Sequence, residues 1–212
     1  MRRLLNLVVS ICLALFVIGS SVIITLNIRD IYYKDIDKLN IEAMSGLSRE
    51  EIIKNYDYLI DYNLNSNARE FKLPTLYSSK NGKIHFEEVR DIFQGVKLLT
   101  IVAGIIAIIG AMFQIKKREF KFLRNASMLI VILPVLLAIP IAIDFNTCFI
   151  MFHKIMFSND YWIFDPQLDP VINMLPEEFF MHMGVTILVF MLISSVILQL
   201  IYKLTKKLKY SN

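Results

Sequence analysis

Four long apolar runs, Leu4–Ile28, Leu98–Ile115, Ser127–Ile143 and Val185–Tyr202, constrain this chain more than any other feature. Each reaches or approaches the ~20 residues that cross a bilayer core, the middle two only just. None contains Asp, Glu, Lys, Arg or His. The chain is 56% hydrophobic over 212 residues, and a soluble domain of that length could not hide four such runs. The expected fold is therefore an all-α membrane protein, one membrane domain over residues 1–212 with four transmembrane helices.

Charge sets the expected orientation. The segments before the first run, between the second and third, and after the fourth hold eleven basic residues against one acid, Glu119. The other two segments, Arg29–Val96 and Asn146–Gly184, hold eleven basic and seventeen acidic residues. Positive charge stays inside, so both termini are expected in the cytoplasm and the two long segments outside. The net charge of +4 is then a topology signal, with no nucleic-acid partner expected. The first run is too long for a signal-peptide core and has no small-residue cleavage site after it, which favours an uncleaved anchor. Cys12 lies mid-span and Cys148 beyond the outer end of the third, which argues against a disulfide between them.

The outer segments are long enough for a small, mainly helical cap. Ser48 and Glu51 form a capping-box pattern, and Ile52, Ile53, Tyr56, Leu59 and Ile60 follow at helical spacing, predicting an amphipathic helix over about Arg49–Tyr62. It would lie on the membrane or on the helix bundle. Lys80-Asn81-Gly82 suits a tight turn, so a short hairpin is expected near 75–86. Helical spacing resumes at Phe86 and runs into the second span, placing His85 at or beside a helix start. The second outer segment is rich in aromatic residues, Phe145, Phe149, Phe152, Phe157, Tyr161, Trp162, Phe164, Phe179 and Phe180, expected at headgroup level. Pro134 and Pro140 are expected to kink the third span.

Chemistry must come from outside the spans, whose one ionisable side chain is the Cys12 thiol. No Gly-x-Ser-x-Gly elbow, His-Glu-x-x-His helix, phosphate loop or Cys-x-x-Cys pair is present. His85 reads either as an interfacial histidine or as a general base kept neutral by the helix N-terminus, with Glu87, Glu88 or Asp91 orienting its other nitrogen. His153, just past the third span, has the same two readings, and together the rings could face one cleft. His182 reads as structural. No metal-ligand spacing supports a zinc site, so neither metal nor cofactor is expected. Tyr58 and Tyr62 share a helix face, most simply as packing aromatics. Asn159, Asp165 and Asp169 read as turn and cap residues and Trp162 as an interfacial anchor, unless they line a polar pocket.

Three stretches carry a family resemblance: Asn55-Tyr-Asp-Tyr-Leu-Ile-Asp-Tyr62, Ile84-His-Phe-Glu-Glu-Val-Arg-Asp-Ile-Phe93, and Phe152–Trp162 continuing through Asp165-Pro, Asp169-Pro and Leu175–Phe180. In order and in spacing relative to the spans, they resemble the bacterial lipoprotein intramolecular transacylases, small four-span membrane enzymes. The resemblance implies a diacylglyceryl lipoprotein substrate in the bacterial plasma membrane, processed on the extracytoplasmic face. The sn-2 acyl chain would move from glycerol to the α-amine of the N-terminal cysteine, leaving a lyso-form lipoprotein. Because substrate supplies both amine and ester, no protein nucleophile is needed. His85 would take the amine proton while His153 serves the oxyanion or the leaving oxygen, or the reverse. Tyr58, Tyr62, Asn159, Trp162, Asp165 and Asp169 would support the substrate, and membrane lipid would surround it. The competing readings are a lipid-ester hydrolase or intermolecular acyltransferase with the same histidines, and a non-enzymatic four-span sensor or assembly protein.

Overall fold

The computed structural model describes residues 2–67 and 70–211, leaving Met1, Ala68, Arg69 and Asn212 outside the description. Among the described residues every regular element is helical: α1 (Arg2–Asn27), α2 (Asp30–Lys38), α3 (Ile41–Ser45), α4 (Arg49–Leu64), α5 (Lys80–Lys116), α6 (Lys121–Ile143), α7 (Phe145–Met156), a 3₁₀ turn (Pro170–Met174) and α8 (Glu177–Ser211). Four of these, α1, α5, α6 and α8, are long and apolar enough to cross a membrane. The chain is a multi-pass membrane protein. It divides into two compact units, one of Met1–Thr25, Val96–Ala142 and Val185–Asn212, the other of Leu26–Gly95 and Ile143–Gly184.

The first unit holds the apolar runs. Their large side chains, Ile101, Ile105, Ile108 and Met112 on α5 among them, are mostly exposed, an apolar surface that lipid and not water can solvate. With no hydrophobic drive between helices in lipid, close packing and hydrogen bonds must hold them together. Gly104 and Gly110 of α5 supply the first. A Cβ at Gly110 would stand 2.2 Å from Val9 Cγ2, and one at Gly104 2.7 Å from Phe16 Cδ2. Ser195 Oγ donates to the Ser127 carbonyl at 2.8 Å, and Asn6 donates to Gln114 at 3.2 Å. Pro134 and Pro140 both lie inside an uninterrupted α6.

The second unit has its own core. Ser48 caps α4 as its sequence requires, accepting from the Glu51 N–H while Glu51 reaches back to the Ser48 N–H. The helix then buries Ile52, Tyr56, Leu59 and Ile60. That face meets Tyr32 of α2, stacked on Tyr56 at 3.8 Å between ring centroids, and Phe179 of α8 edge-on. Tyr32 donates its hydroxyl to the Met174 carbonyl at 2.6 Å, tying α2 to the 3₁₀ turn. The amphipathic helix therefore buries its face within the unit's own core. His182 at the start of α8 is 2.8 Å from the carboxylate of buried Asp35 on α2, a structural pairing.

No hairpin forms near 75–86. Residues 80–82 are instead the first turn of α5, because the Ser79 hydroxyl caps the helix and is itself held by Asp169 from ninety residues away. At 37 residues α5 is about 55 Å long, nearly twice a ~30 Å hydrocarbon core. Its apolar part begins at Leu98. The half before it carries Glu87, Glu88, Arg90, Asp91 and Lys97 and lies outside the membrane-spanning stretch.

The tight α1–α5 approach predicts that Gly110→Leu is damaging. Overpacking of this kind costs about 1–3 kcal/mol. Thermal unfolding in detergent should show the Tm lowered by several degrees, whereas the lipid-facing Ile108→Leu should leave it unchanged.

Candidate active site

Asp169 builds the site's foundation. Its carboxylate is buried and accepts twice from Ser79, from the backbone N–H at 2.7 Å and from the hydroxyl at 2.6 Å. Ser79 Oγ accepts in turn from the Gly82 N–H at 2.9 Å, and the Ser79 carbonyl accepts from Lys83 N–H at 3.0 Å. Orphan N–H groups at the head of α5 are thereby satisfied. Gly82 is obligatory here, since a Cβ would fall 2.2 Å from Asp169 Oδ1. His85 thus enters the helix in its second turn, not at its start.

From there its ring reaches that of His153 on α7, 6.1 Å away between centroids. Both imidazoles are walled by aromatics. Phe157 stands 4.7 Å from His85 and 5.6 Å from His153. Phe164 closes on His85 at 5.4 Å, and Phe149 and Trp162 close on His153 at 4.2 and 4.9 Å. Phe149, Phe157, Trp162 and Phe164 of the aromatic second segment thus wall the two rings, with Phe157 itself buried. Nothing in the sequence separates Phe149, Phe157 and Phe164 from exposed neighbours such as Phe152, which is about half exposed.

Enclosure sets the protonation states. His85 is 5% exposed, and burial, with His153 nearby adding repulsion, pushes its pKa down to about 4. His153 is also lowered by burial, opposed by a hydrogen bond to the Phe149 carbonyl. Both rings are neutral at pH 7. The expected cause, a helix N-terminus acting on His85, is replaced by desolvation. No acid orients His85 either: its Nδ1 is buried without a partner. In His153 the tautomer is fixed. Nδ1 lies 2.7 Å from the Phe149 carbonyl oxygen, which can only accept, so Nδ1 carries the proton and Nε2 keeps its lone pair.

The other candidates divide. Asn159 donates to Glu88 Oε1 at 2.8 Å, linking the segment after α7 to α5 one turn beyond His85. Trp162 lies tilted against His153 with its indole N–H buried and unpartnered. Asp165 is exposed and accepts from the Gln167 N–H in a turn that leads to Asp169. Tyr58 braces the chain by accepting from Lys72 N–H at 2.7 Å. Tyr62 stacks with Tyr58 and meets Phe71, which stacks on Phe86, the residue next to His85. Reading the sequence missed Ser79 and Gly82, whose roles appear only against Asp169.

Comparison with known proteins decides the family. The family model described as lipoprotein intramolecular transacylase Lit matches residues 7–180. The chain belongs to this family. It is also similar to the solved in meso structure of the membrane-integral lipoprotein intramolecular transacylase Lit from Bacillus cereus, with 41% identity, 99% of this chain and 98% of that one covered, and a TM-score of 0.97. Two further structures of the Bacillus cereus protein, carrying H85R and H85A mutations, match at 41% and 40% identity. They cover 99% of this chain and 94% and 96% of theirs, with TM-scores of 0.89 and 0.90. No curated protein matches. This family member is an acyltransferase.

Two outcomes follow from the geometry. Asp169→Ala should cost roughly 2 kcal/mol, seen as a lower Tm, since charge-assisted bonds and a helix cap are lost together. In the folded state His85 takes up a proton only near pH 4, while the unfolded chain does so near 6.5. Stability from its burial is thus complete above about 6.5 and is lost as pH falls toward 4, on the order of 3 kcal/mol. Thermal melts between pH 7 and pH 4.5 should show this loss, reduced in His85→Gln.

Proposed function

We propose that this chain moves the sn-2 acyl group of a diacylglyceryl lipoprotein to the α-amine of the lipoprotein's N-terminal cysteine, leaving the lyso-form, at the outer face of a bacterial plasma membrane. The observation that carries the reading is the neutral His85–His153 pair inside one aromatic enclosure. Family membership supports the transacylase chemistry. Substitution of a histidine numbered 85 in the Bacillus cereus structures supports the weight placed on His85. The outer location rests on charge: the segments flanking the spans on the side of the two termini are basic, and the histidine-bearing segments are acidic on balance.

The geometry favours one division of labour. His153 offers a lone pair at Nε2, backed by the Phe149 carbonyl, and is the base. His85, neutral to low pH, has one N–H to give and serves the oxyanion, helped by the unpartnered Trp162 N–H. The α-amine attacks the ester carbonyl, a C–N bond forms, and the carbonyl π electrons become the oxyanion. His153 Nε2 takes the proton the nitrogen sheds. The C–O bond to glycerol then breaks as the same proton passes to the departing oxygen, giving amide and alcohol.

Holding amine and ester on one bound molecule removes much of the entropic barrier, worth up to ~7–11 kcal/mol when well oriented. A general base adds roughly 10²–10⁴-fold. The aromatic walls exclude water, which favours transfer to the amine over hydrolysis of the ester.

Mass spectrometry of a reporter lipoprotein tests the assignment. His153→Ala should abolish the N-acyl lyso product, and His85→Ala should reduce it roughly 10²–10⁴-fold; full product from either would refute the pairing. Because both rings and the amine must be neutral, and the α-amine of a free peptide titrates near ~8, activity should climb between pH 6 and about 8.5. Free fatty acid as the main product would instead indicate a hydrolase.

A further inference from the structure

We propose that the carboxylate of Glu88 is the acceptor that holds the substrate's α-amino group beside the two imidazoles. The proposal rests on the transacylase reading and names the group that selects a free amine. Glu88 stands three residues past His85 on α5, so the two side chains share a helix face. Its oxygens have unequal fates. Oε1 accepts from Asn159 Nδ2 at 2.8 Å, while Oε2 is buried and has no partner.

The Asn159 amide cannot be turned to satisfy both. Its Oδ1 already accepts from the Tyr161 N–H at 3.0 Å, so the nitrogen must face Glu88 and one carboxylate oxygen stays open. A buried acceptor left without a donor is costly, and folded proteins satisfy nearly all of them. Two more unpartnered buried atoms belong to neighbours in sequence, His85 Nδ1 three residues before Glu88 and the indole nitrogen of Trp162 three residues after Asn159. A carboxylate acceptor together with these two ring nitrogens is complementary to a molecule bearing an amine and an ester carbonyl. The amine gives one N–H to Glu88 Oε2 and another to the base, and its lone pair is left facing the carbonyl.

The carboxylate takes no proton in this scheme. As the nitrogen attacks it gains positive charge, and an ionised acceptor in a low-dielectric enclosure grows stronger at that moment, so the contact favours the transition state over the ground state. The product nitrogen is an amide, with one N–H and no charge. It has less to offer Glu88 and is released more readily than substrate is bound.

The experiment uses the full chain in detergent with a synthetic diacylglyceryl lipopeptide, and an N-acetylated analogue as a competitor. Glu88→Gln keeps an oxygen for Asn159 but puts a donor where Oε2 was. It should retain the wild-type Tm, lower kcat/KM roughly 10–100-fold and leave binding of the N-acetylated analogue unchanged. Asn159→Ala frees Glu88 without removing it, and should lower kcat while preserving the preference for the free amine. Should Glu88→Gln misfold, wild-type protein suffices: the free-amine lipopeptide should bind roughly tenfold tighter than its N-acetylated form. Equal binding by the wild type, or wild-type kcat/KM in Glu88→Gln while His85→Ala and His153→Ala are impaired, overturns the Glu88 proposal alone. Full activity in both histidine variants overturns the transacylase assignment beneath it.

Discussion

Everything at the site follows from where α5 is made to start. The Asp169 carboxylate, buried under the 3₁₀ turn, satisfies Ser79 twice, and Ser79 satisfies Gly82. A start even one residue later would rotate His85 about 100° around the helix axis. The same carboxylate ends the segment that carries Asn159, Trp162 and Phe164, so the helix and the aromatic wall are positioned by one group. A buried carboxyl group with both oxygens hydrogen-bonded tolerates little displacement, which makes it a precise registration device.

What surrounds the two imidazoles is as informative as what they touch. Phe149, Phe157, Phe164 and Trp162 contribute no acid, base or charge, yet they set the chemistry by removing water. An imidazole free in water is half-protonated only slightly below neutrality; in this enclosure it is held neutral. In the proposed reaction the two imidazoles are kept uncharged in the same place that receives the acyl ester. Desolvation of base and substrate is then a single act.

Much of this is legible in the chain itself. Four runs without a charge demand four spanning helices, and the Ser48–Glu51 box marks the head of α4 to the residue. Those signals are local, each complete within a few positions. The hairpin fails for the opposite reason. Lys80-Asn81-Gly82 carries a strong local turn preference, but the Ser79 hydroxyl caps a helix there, held in place by Asp169 from ninety residues away, and the same glycine becomes that helix's close-approach point. Both histidines are identifiable because so few residues of their kind are available outside the spans. Their convergence is not, since it depends on α7 and α5 meeting across a shared phenylalanine. Asp165, grouped with Asp169 by its identical Asp-Pro context, is exposed, and no periodicity distinguishes the two.

The anchoring of His153 to the Phe149 carbonyl leaves its ring with a single working nitrogen. A proton loaded there cannot be handed off from the opposite side, as it can in a relay that passes through an imidazole. Pickup and delivery must use one berth. In the proposed reaction it is the lipid guest that has to pivot, bringing first its amine and then its glycerol oxygen to the same stationary atom, so that turnover would be bounded by how freely that guest swings inside walls of phenylalanine.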